Sequence, residues 1–213
     1  RKFPLIREWV AGRGRPTLKQ LEALAKATHT PLGYFFMDEP PDESLPIPHF
    51  RTLDDGTPYQ PSPDLIETIH TMQRRQEWMR ESLMARGQEP LTFVRSVRPD
   101  EDPRTIARRM REVLGFGACW AIAYPNWGDA LRALRGAVDE AGILVVVNGV
   151  VGNNTSRKLS PVESRGFVLV DEYASLLFVN GGDSKAAQVF TLAHDLAPVF
   201  FGDGAAFDLR VGR

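Results

Sequence analysis

The pattern of apolar residues between positions 183 and 202 predicts a helix between Asp183 and Gly202. Asp183 or Ser184 can accept a hydrogen bond from the first turn, and Gly202 supplies a C-terminal stop. The apolar residues between them lie on nearly all sides of a helical projection, which is typical of a helix inside a core. We therefore expect one helix that is buried all round, with His194 and Asp195 in its middle.

Apolar residues spaced by three and four predict further helices over 17–28, 64–86, 102–114 and 127–142, and Pro16 is expected to open the first of these. Shorter helical pieces are expected to end near Trp9 and to cover 31–37. Apolar runs predict strands over 91–94, 143–148, 167–170 and 176–179, of which 143–148 is β-branched like a central strand. Helices followed by a three- or four-stranded sheet and a buried helix predict an α+β fold.

The helix predicted over 64–86 is the longest, and its apolar seam is interrupted only by Gln76. It also carries a cluster that includes Arg74, Trp78 and Arg80. Either it is a connecting or dimerising helix that relays state between two units, or it is a packing helix with a solvated arginine-rich face. Prolines over 40–63 predict an extended linker, so the expected segments are a helical unit 1–39, the linker 40–63, the connecting helix 64–88 and a domain 89–213.

Charge is unevenly distributed along the 213 residues. The net charge of −1 argues against nucleic-acid binding along the whole chain, but residues 1–29 carry seven Lys and Arg against two Glu, which predicts a local anionic partner. The single cysteine, Cys119, excludes an internal disulfide and is typical of a reducing cytoplasm. No apolar run approaches the roughly 20 residues that span a bilayer, so we expect a cytoplasmic protein without a membrane partner.

His194, Asp195 and Pro198 occupy positions that a zinc-peptidase motif uses. In His-Glu-x-x-His the two imidazoles share one helix face and bind zinc while the Glu acts as general base. Here only the first His is present, Asp is one methylene shorter than Glu, and Pro cannot bind a metal. A proline inside a helix also costs about 3 kcal/mol, so we expect a kink or an early end at Pro198. Alternatively, His194 is an ordinary buried histidine on an unrelated core helix.

The segment Phe190-Thr-Leu-Ala-His194-Asp-Leu-Ala-Pro198 resembles the Phe-Thr-Leu-Ala-His-Glu-Leu-Ala-His segment of the ImmA/IrrE family of zinc peptidases, and residues 165–188 are similar to its lead-in. The resemblance implies a zincin-like domain with zinc as cofactor. His194 would be a zinc ligand, Asp195 would stand at the general-base position, and Pro198 would replace the second ligand. The family's third ligand lies on a later helix, beyond the end of this sequence.

The segment 149–158 is similar to a Gly-Asn-Asn-Thr-His-Arg loop of the same family, with Ser156 at the position of the histidine. The resemblance implies a substrate or ligand groove lined by Asn153, Asn154 and Arg157. Alternatively, these side chains satisfy the backbone of the loop itself.

Residues 9–36 resemble the second half of an Xre-type helix-turn-helix domain, through Trp9, Gly12, Arg15-Pro-Thr-Leu and Pro31-Leu-Gly-Tyr-Phe-Phe. The resemblance implies a DNA-binding unit, with phosphate contacts from Arg7, Arg13, Arg15 and Lys19. The two earlier helices of that domain have no counterpart here, so we expect the sequence to be truncated at both ends. Alternatively, this unit is a small helical cap with a solvated basic face.

Together the resemblances imply a DNA-binding transcriptional regulator or antitoxin-like protein. Its peptidase-like domain is expected to be inactive, with zinc absent or weakly bound, and to act as a sensing or partner-binding module. A repressor or toxin is the expected protein partner, and a homodimer is expected through the long helix. One alternative is an active zinc-dependent endopeptidase that cleaves a repressor or related transcription factor. Another is a structural fusion whose helical linker sets the oligomeric state.

Overall fold

The structure, a computed structural model, describes residues 2–39 and 61–202. Most of the predicted linker therefore lies outside the described residues. Within them the chain forms six α-helices, two short 3₁₀ segments and five strands, arranged in sheets of three and two strands. This mixture confirms the predicted α+β fold. No helix in these two ranges is long and apolar enough to cross a membrane.

Residues 2–39 form a small helical unit made of α1 (Ile6–Val10), α2 (Leu18–Thr28) and a 3₁₀ segment (Leu32–Phe36). Thr17 caps α2: its hydroxyl accepts a hydrogen bond from the Gln20 N–H, and the Gln20 side chain accepts one from the Thr17 N–H. The prediction that Pro16 opens this helix is therefore wrong, because the reciprocal cap places the proline before it. Leu24 and Ala25 are the only buried residues of the unit.

The larger part, 61–202, is built on a three-stranded sheet of β1 (Leu144–Asn148), β4 (Gly166–Leu169) and β5 (Leu176–Asn180). The strand order is β1-β5-β4, with β1 parallel and β4 antiparallel to β5. The prediction that residues 143–148 form a central strand is wrong, because β5 lies between the other two. All five residues of β5 are buried, as expected of a strand covered on both faces.

Helices cover both faces of this sheet. Helices α5 (Trp127–Glu140) and α6 (Lys185–Phe201) share one core with Leu177 and Val179 of β5. Helix α3 (Pro63–Ala85) packs on the other face, where Leu65, Ile69 and Met72 join a second core with Phe178. The helix α4 (Pro103–Val113) and a 3₁₀ segment (Trp120–Ala123) lie between α3 and α5 in the chain, and α4 contributes Ile106 to the first core.

The apolar seam of α3 is used mainly at its start. Beyond Met72 the seam is only half-buried, and the Gln76 side chain donates a hydrogen bond to the Leu169 carbonyl, 2.8 Å away. Arg80 forms an ion pair with Asp171 at 3.0 Å, whereas Trp78 is 66% exposed. The polar interruption of the seam is thus a contact with the edge strand β4. The dimerising role of this helix stays a prediction.

Two local predictions are wrong. Residues 91–94 form a turn instead of a strand, because Leu91 N–H donates to the Glu172 carbonyl and the following residues donate to the end of α6. The segment 149–158 is not a loop. It forms a small antiparallel hairpin of β2 (Val150–Val151) and β3 (Asn154–Lys158).

Candidate functional site

The helix α6 positions His194, Asp195 and Pro198. Its N-cap is Ser184, whose hydroxyl accepts a hydrogen bond from the Ala187 N–H. The helix continues through Pro198 to Phe201, so of the two outcomes expected at the proline the early end is wrong, and the kink stays a prediction. Backbone hydrogen bonds hold the last turn. The Pro198 carbonyl accepts one of 2.8 Å from Gly202 N–H, and the Val199 and Phe200 carbonyls accept bonds of 3.1 Å from the N–H groups of Arg95 and Val97. Phe200 is also fully buried.

The prediction that α6 is buried all round is also wrong. Leu192, Leu196 and Val199 are fully or almost fully buried against the sheet and α5, but Phe190 is 61% exposed and Ala193 is exposed as well. The helix therefore has one face in the core and one apolar face outside it. His194 and Asp195 lie at the border between the two, with only 15% and 16% of their side chains exposed.

His194 and Asp195 are paired with each other. Nδ1 of His194 lies 2.9 Å from Oδ1 of Asp195, a distance that fits a hydrogen bond donated by the imidazole to the carboxylate. Nε2 of His194 and Oδ2 of Asp195 are buried and have no hydrogen-bond partner among the described residues. Unsatisfied buried polar atoms are uncommon in folded proteins, so both atoms mark this pair as a candidate site.

Gly166 of β4 makes room for the Asp195 carboxylate. A Cβ atom added at Gly166 would lie 2.9 Å from Oδ2 of Asp195 and 2.5 Å from the Phe178 carbonyl oxygen. Side chains at this position therefore collide with both the sheet backbone and the acid. The absence of a side chain at Gly166 allows Asp195 to lie against this strand.

His194 and Pro198 line a cleft of about 340 Å³ between α4, α5 and α6. Its walls are mainly apolar and include Met110, Leu114, Phe116, Trp120 and Leu134. The Phe116 and Trp120 rings are stacked, with centroids 4.4 Å apart and an interplanar angle of 11°. Arg111 of α4 also lines the cleft, is half-buried, and has no ion-pair partner in the described part of the chain.

The residues present do not fit the zinc that the family resemblance implies. A catalytic zinc site needs three protein ligands and an open position. No group of three His, Cys, Asp or Glu side chains with metal-binding proximity occurs in 2–39 or 61–202. Around His194 the cleft offers apolar carbon atoms and a guanidinium, and Pro198 has no donor atom at the second-ligand position.

The three side chains predicted to line a groove lie on the β2–β3 hairpin. Asn153 is exposed, and the Asn154 side chain accepts hydrogen bonds from the N–H and hydroxyl of Ser156, which satisfies the turn locally. Arg157 binds α3 instead, with 2.6 Å to Asp64 and 2.7 Å to Glu67. The hydrogen bond to Glu67 is the largest influence that raises the pKa of Arg157 above its ordinary value. None of the three residues predicted for the groove lines the cleft at His194.

The basic residues of the N-terminal unit are all available at its surface. Arg7, Arg13, Arg15 and Lys19 are exposed, and the structure gives none of them an ion pair with another described residue. Solvated side chains of this kind can contact phosphates without first breaking an internal salt bridge.

Comparisons with known proteins return no match for this chain among protein families, curated proteins or solved structures.

Proposed function

We propose that this chain belongs to a DNA-binding transcriptional regulator or antitoxin-like protein, in which a peptidase-like domain without catalytic activity serves as a sensing or partner-binding module. The observation that carries the proposal is the composition of the cleft on α6. His194 is present, but Pro198 adds an apolar wall where a metal ligand would stand, and the remaining walls are hydrocarbon and aromatic. Such a cleft suits binding better than hydrolysis.

The state of Asp195 supports the absence of catalysis. A general base must lie within hydrogen-bonding distance of the proton that it removes, either directly or through one water. One carboxylate oxygen of Asp195 is engaged by His194, and the other is buried on the side of Gly166. The described residues also supply no ligand set for a metal that would hold such a water.

Metal content distinguishes this proposal from the alternative of an active zinc peptidase. The purified protein should contain much less than one zinc per chain by elemental analysis. It should not cleave a protein substrate in a chelator-sensitive way. One tightly held zinc per chain that is lost in His194→Ala, together with chelator-sensitive cleavage, would instead establish the peptidase and contradict our proposal.

The DNA-binding role is tested separately by the salt dependence of binding to duplex DNA. If four side chains contact phosphates, the slope of log K against log salt should be about −3 to −4. Arg13→Gln/Arg15→Gln should make the slope less steep by about 2. The matched control Arg104→Gln/Arg108→Gln removes two exposed arginines of α4 and should leave the slope unchanged. Equal effects of both double variants would show non-specific attraction to the whole chain.

A further inference from the structure

The cleft between α4, α5 and α6 has a distinctive chemical composition. Arg111 and His194 are the only charged or ionisable side chains among the described residues that line it, and none of those residues is acidic. All other walls are hydrocarbon or aromatic. A ligand that matches this surface therefore combines an apolar body with a polar group that can face a cation.

The volume of the cleft limits the size of the body. About 340 Å³ is near the lower end of the roughly 300–1,000 Å³ found for small-molecule sites. It is also about twice the roughly 150 Å³ of an apolar cavity that admits benzene. One ring with a short chain, or a branched hydrocarbon of similar size, fills this space. The stacked rings of Phe116 and Trp120 offer a flat wall for such a body.

The charge and geometry of Arg111 indicate which polar group the ligand carries. Its guanidinium is always charged, is half-buried here, and has no carboxylate partner in the described ranges. The planar fork of N–H donors matches a carboxylate with two parallel hydrogen bonds, and these charge-assisted bonds are stronger than neutral ones. His194 lines the same cleft, and its buried Nε2 is a second polar atom that has no hydrogen-bond partner among the described residues.

We propose that this cleft binds a small carboxylic acid with a single aromatic or branched apolar body. The carboxylate pairs with Arg111, and the body lies against Phe116, Trp120 and Met110 between the helices. This assignment rests on the proposed function, since it supplies the ligand class for a sensing domain that has no catalytic role. It makes His194 a wall residue of a binding site instead of a metal ligand.

Isothermal titration calorimetry with two matched probes tests the assignment. The probes are 3-phenylpropionate and the neutral 3-phenylpropionamide, which share a ring and chain and differ in charge. The acid should bind about tenfold to a hundredfold more tightly than the amide, because hydrogen bonds to charged groups contribute more than neutral ones. Equal affinities, or no binding of the acid up to its solubility limit, would overturn the proposal.

Two arginine variants locate the effect. Arg111→Met keeps the apolar stem and should remove the preference for the acid while leaving the affinity for the amide unchanged. Arg108→Met, one turn earlier on α4, is exposed and outside the cleft, so it should keep the preference. The proposal fails if Arg108→Met reduces the preference as much as Arg111→Met does. Thermal unfolding of each variant verifies that it is folded.

A variant that fills the cleft tests the location of the apolar body. Ala107 of α4 lines the cleft and is half-buried, so Ala107→Phe should weaken the binding of both probes by at least about tenfold if it occupies their space. Undiminished binding of both probes in this folded variant would overturn the assignment. The titrations do not depend on DNA or zinc. Binding of the acid that leaves the affinity for DNA unchanged would support the site and contradict the sensing role alone.

Discussion

Pro198 should destabilise the protein, and replacing it by alanine should raise the free energy of unfolding. The residue lies inside α6, three positions before its last residue, Phe201. Proline cannot donate a hydrogen bond to the carbonyl of His194, and its ring crowds that carbonyl, at a cost of about 3 kcal/mol in a helix interior. Pro198→Ala removes both effects.

Two smaller terms oppose this gain. Proline restricts the unfolded chain, which stabilises the folded state by about 0.4–1 kcal/mol. The half-buried ring also forms part of the cleft wall. Replacing it by a methyl group loses the burial of roughly one methylene group, which costs about 0.8 kcal/mol. The expected net stabilisation of Pro198→Ala is therefore about 1.5 kcal/mol, which corresponds to a rise in Tm of about 3–6 °C for a chain of this size.

Urea and thermal denaturation, followed by far-ultraviolet circular dichroism, measure this change. Ala193→Pro is the matched control, because it places a proline at an exposed position of the same helix and removes the hydrogen bond to the Val189 carbonyl. It should lower the free energy of unfolding by about 3 kcal/mol. If Ala193→Pro is destabilising but Pro198→Ala is neutral or destabilising, the ring contributes more in the cleft than the lost hydrogen bond costs, and our reasoning is wrong.

Three further predictions concern the elements around the site. Gly166→Ala should lower the free energy of unfolding by about 1–3 kcal/mol, because its Cβ would lie 2.5 Å from a strand carbonyl oxygen. The control Gly136→Ala has open space in α5 and should raise the free energy of unfolding by about 1 kcal/mol, so equal changes for the two variants in urea denaturation would contradict the prediction. Hydrogen bonds from the Thr105 side chain and then its N–H lower the pKa of Asp102 below 3.8, so its stabilising effect is present above that pH and is lost as the pH falls through the folded-state pKa. Asp102→Asn keeps the cap and should flatten the acid limb of a stability–pH profile, and an unchanged limb would refute this. Arg157→Met should cost about 1 kcal/mol by urea denaturation, because it leaves two part-exposed carboxylates of α3 unpaired, and no loss would show that solvent already screens them.

The helices could be predicted from the sequence because their signals are local. Apolar spacing and a capping residue placed α4 at Asp102 and α5 before Gly142 to within a few residues. Strand order had no such local signal. Residues 144–148 and 176–180 are similarly apolar, and only the packing of helices on both faces makes β5 central. The apolar residues 91–94 predict a strand, but in the structure Val94 and Phe93 pack in the core shared with α6, where Phe93 stacks on Phe200, and the backbone forms a turn without sheet pairing.

Only the α6 part of the candidate site could be predicted from the sequence. The helical stretch placed His194, Asp195 and Pro198 on one element, since residues three and four apart on a helix are neighbours. Arg111, Phe116 and Trp120 come from much earlier in the chain and reach the cleft only when α4 and the following segment pack beside α6. A usable signal was present, because Phe116 and Trp120 are aromatic residues in a short glycine-containing connection where solvated side chains are expected.

Pro198 connects the stability of α6 to the chemistry of the cleft. The residue that removes a backbone hydrogen bond from the helix also places a rigid hydrocarbon wall beside His194. A zinc-peptidase site would gain nothing from a proline here, because proline supplies no metal ligand and destabilises the helix. A binding cleft gains apolar surface with no side-chain freedom to lose on binding. The lost hydrogen bond is therefore easier to explain by ligand binding than by hydrolysis, and measurements on Pro198→Ala and on acid binding examine the two sides of that explanation independently.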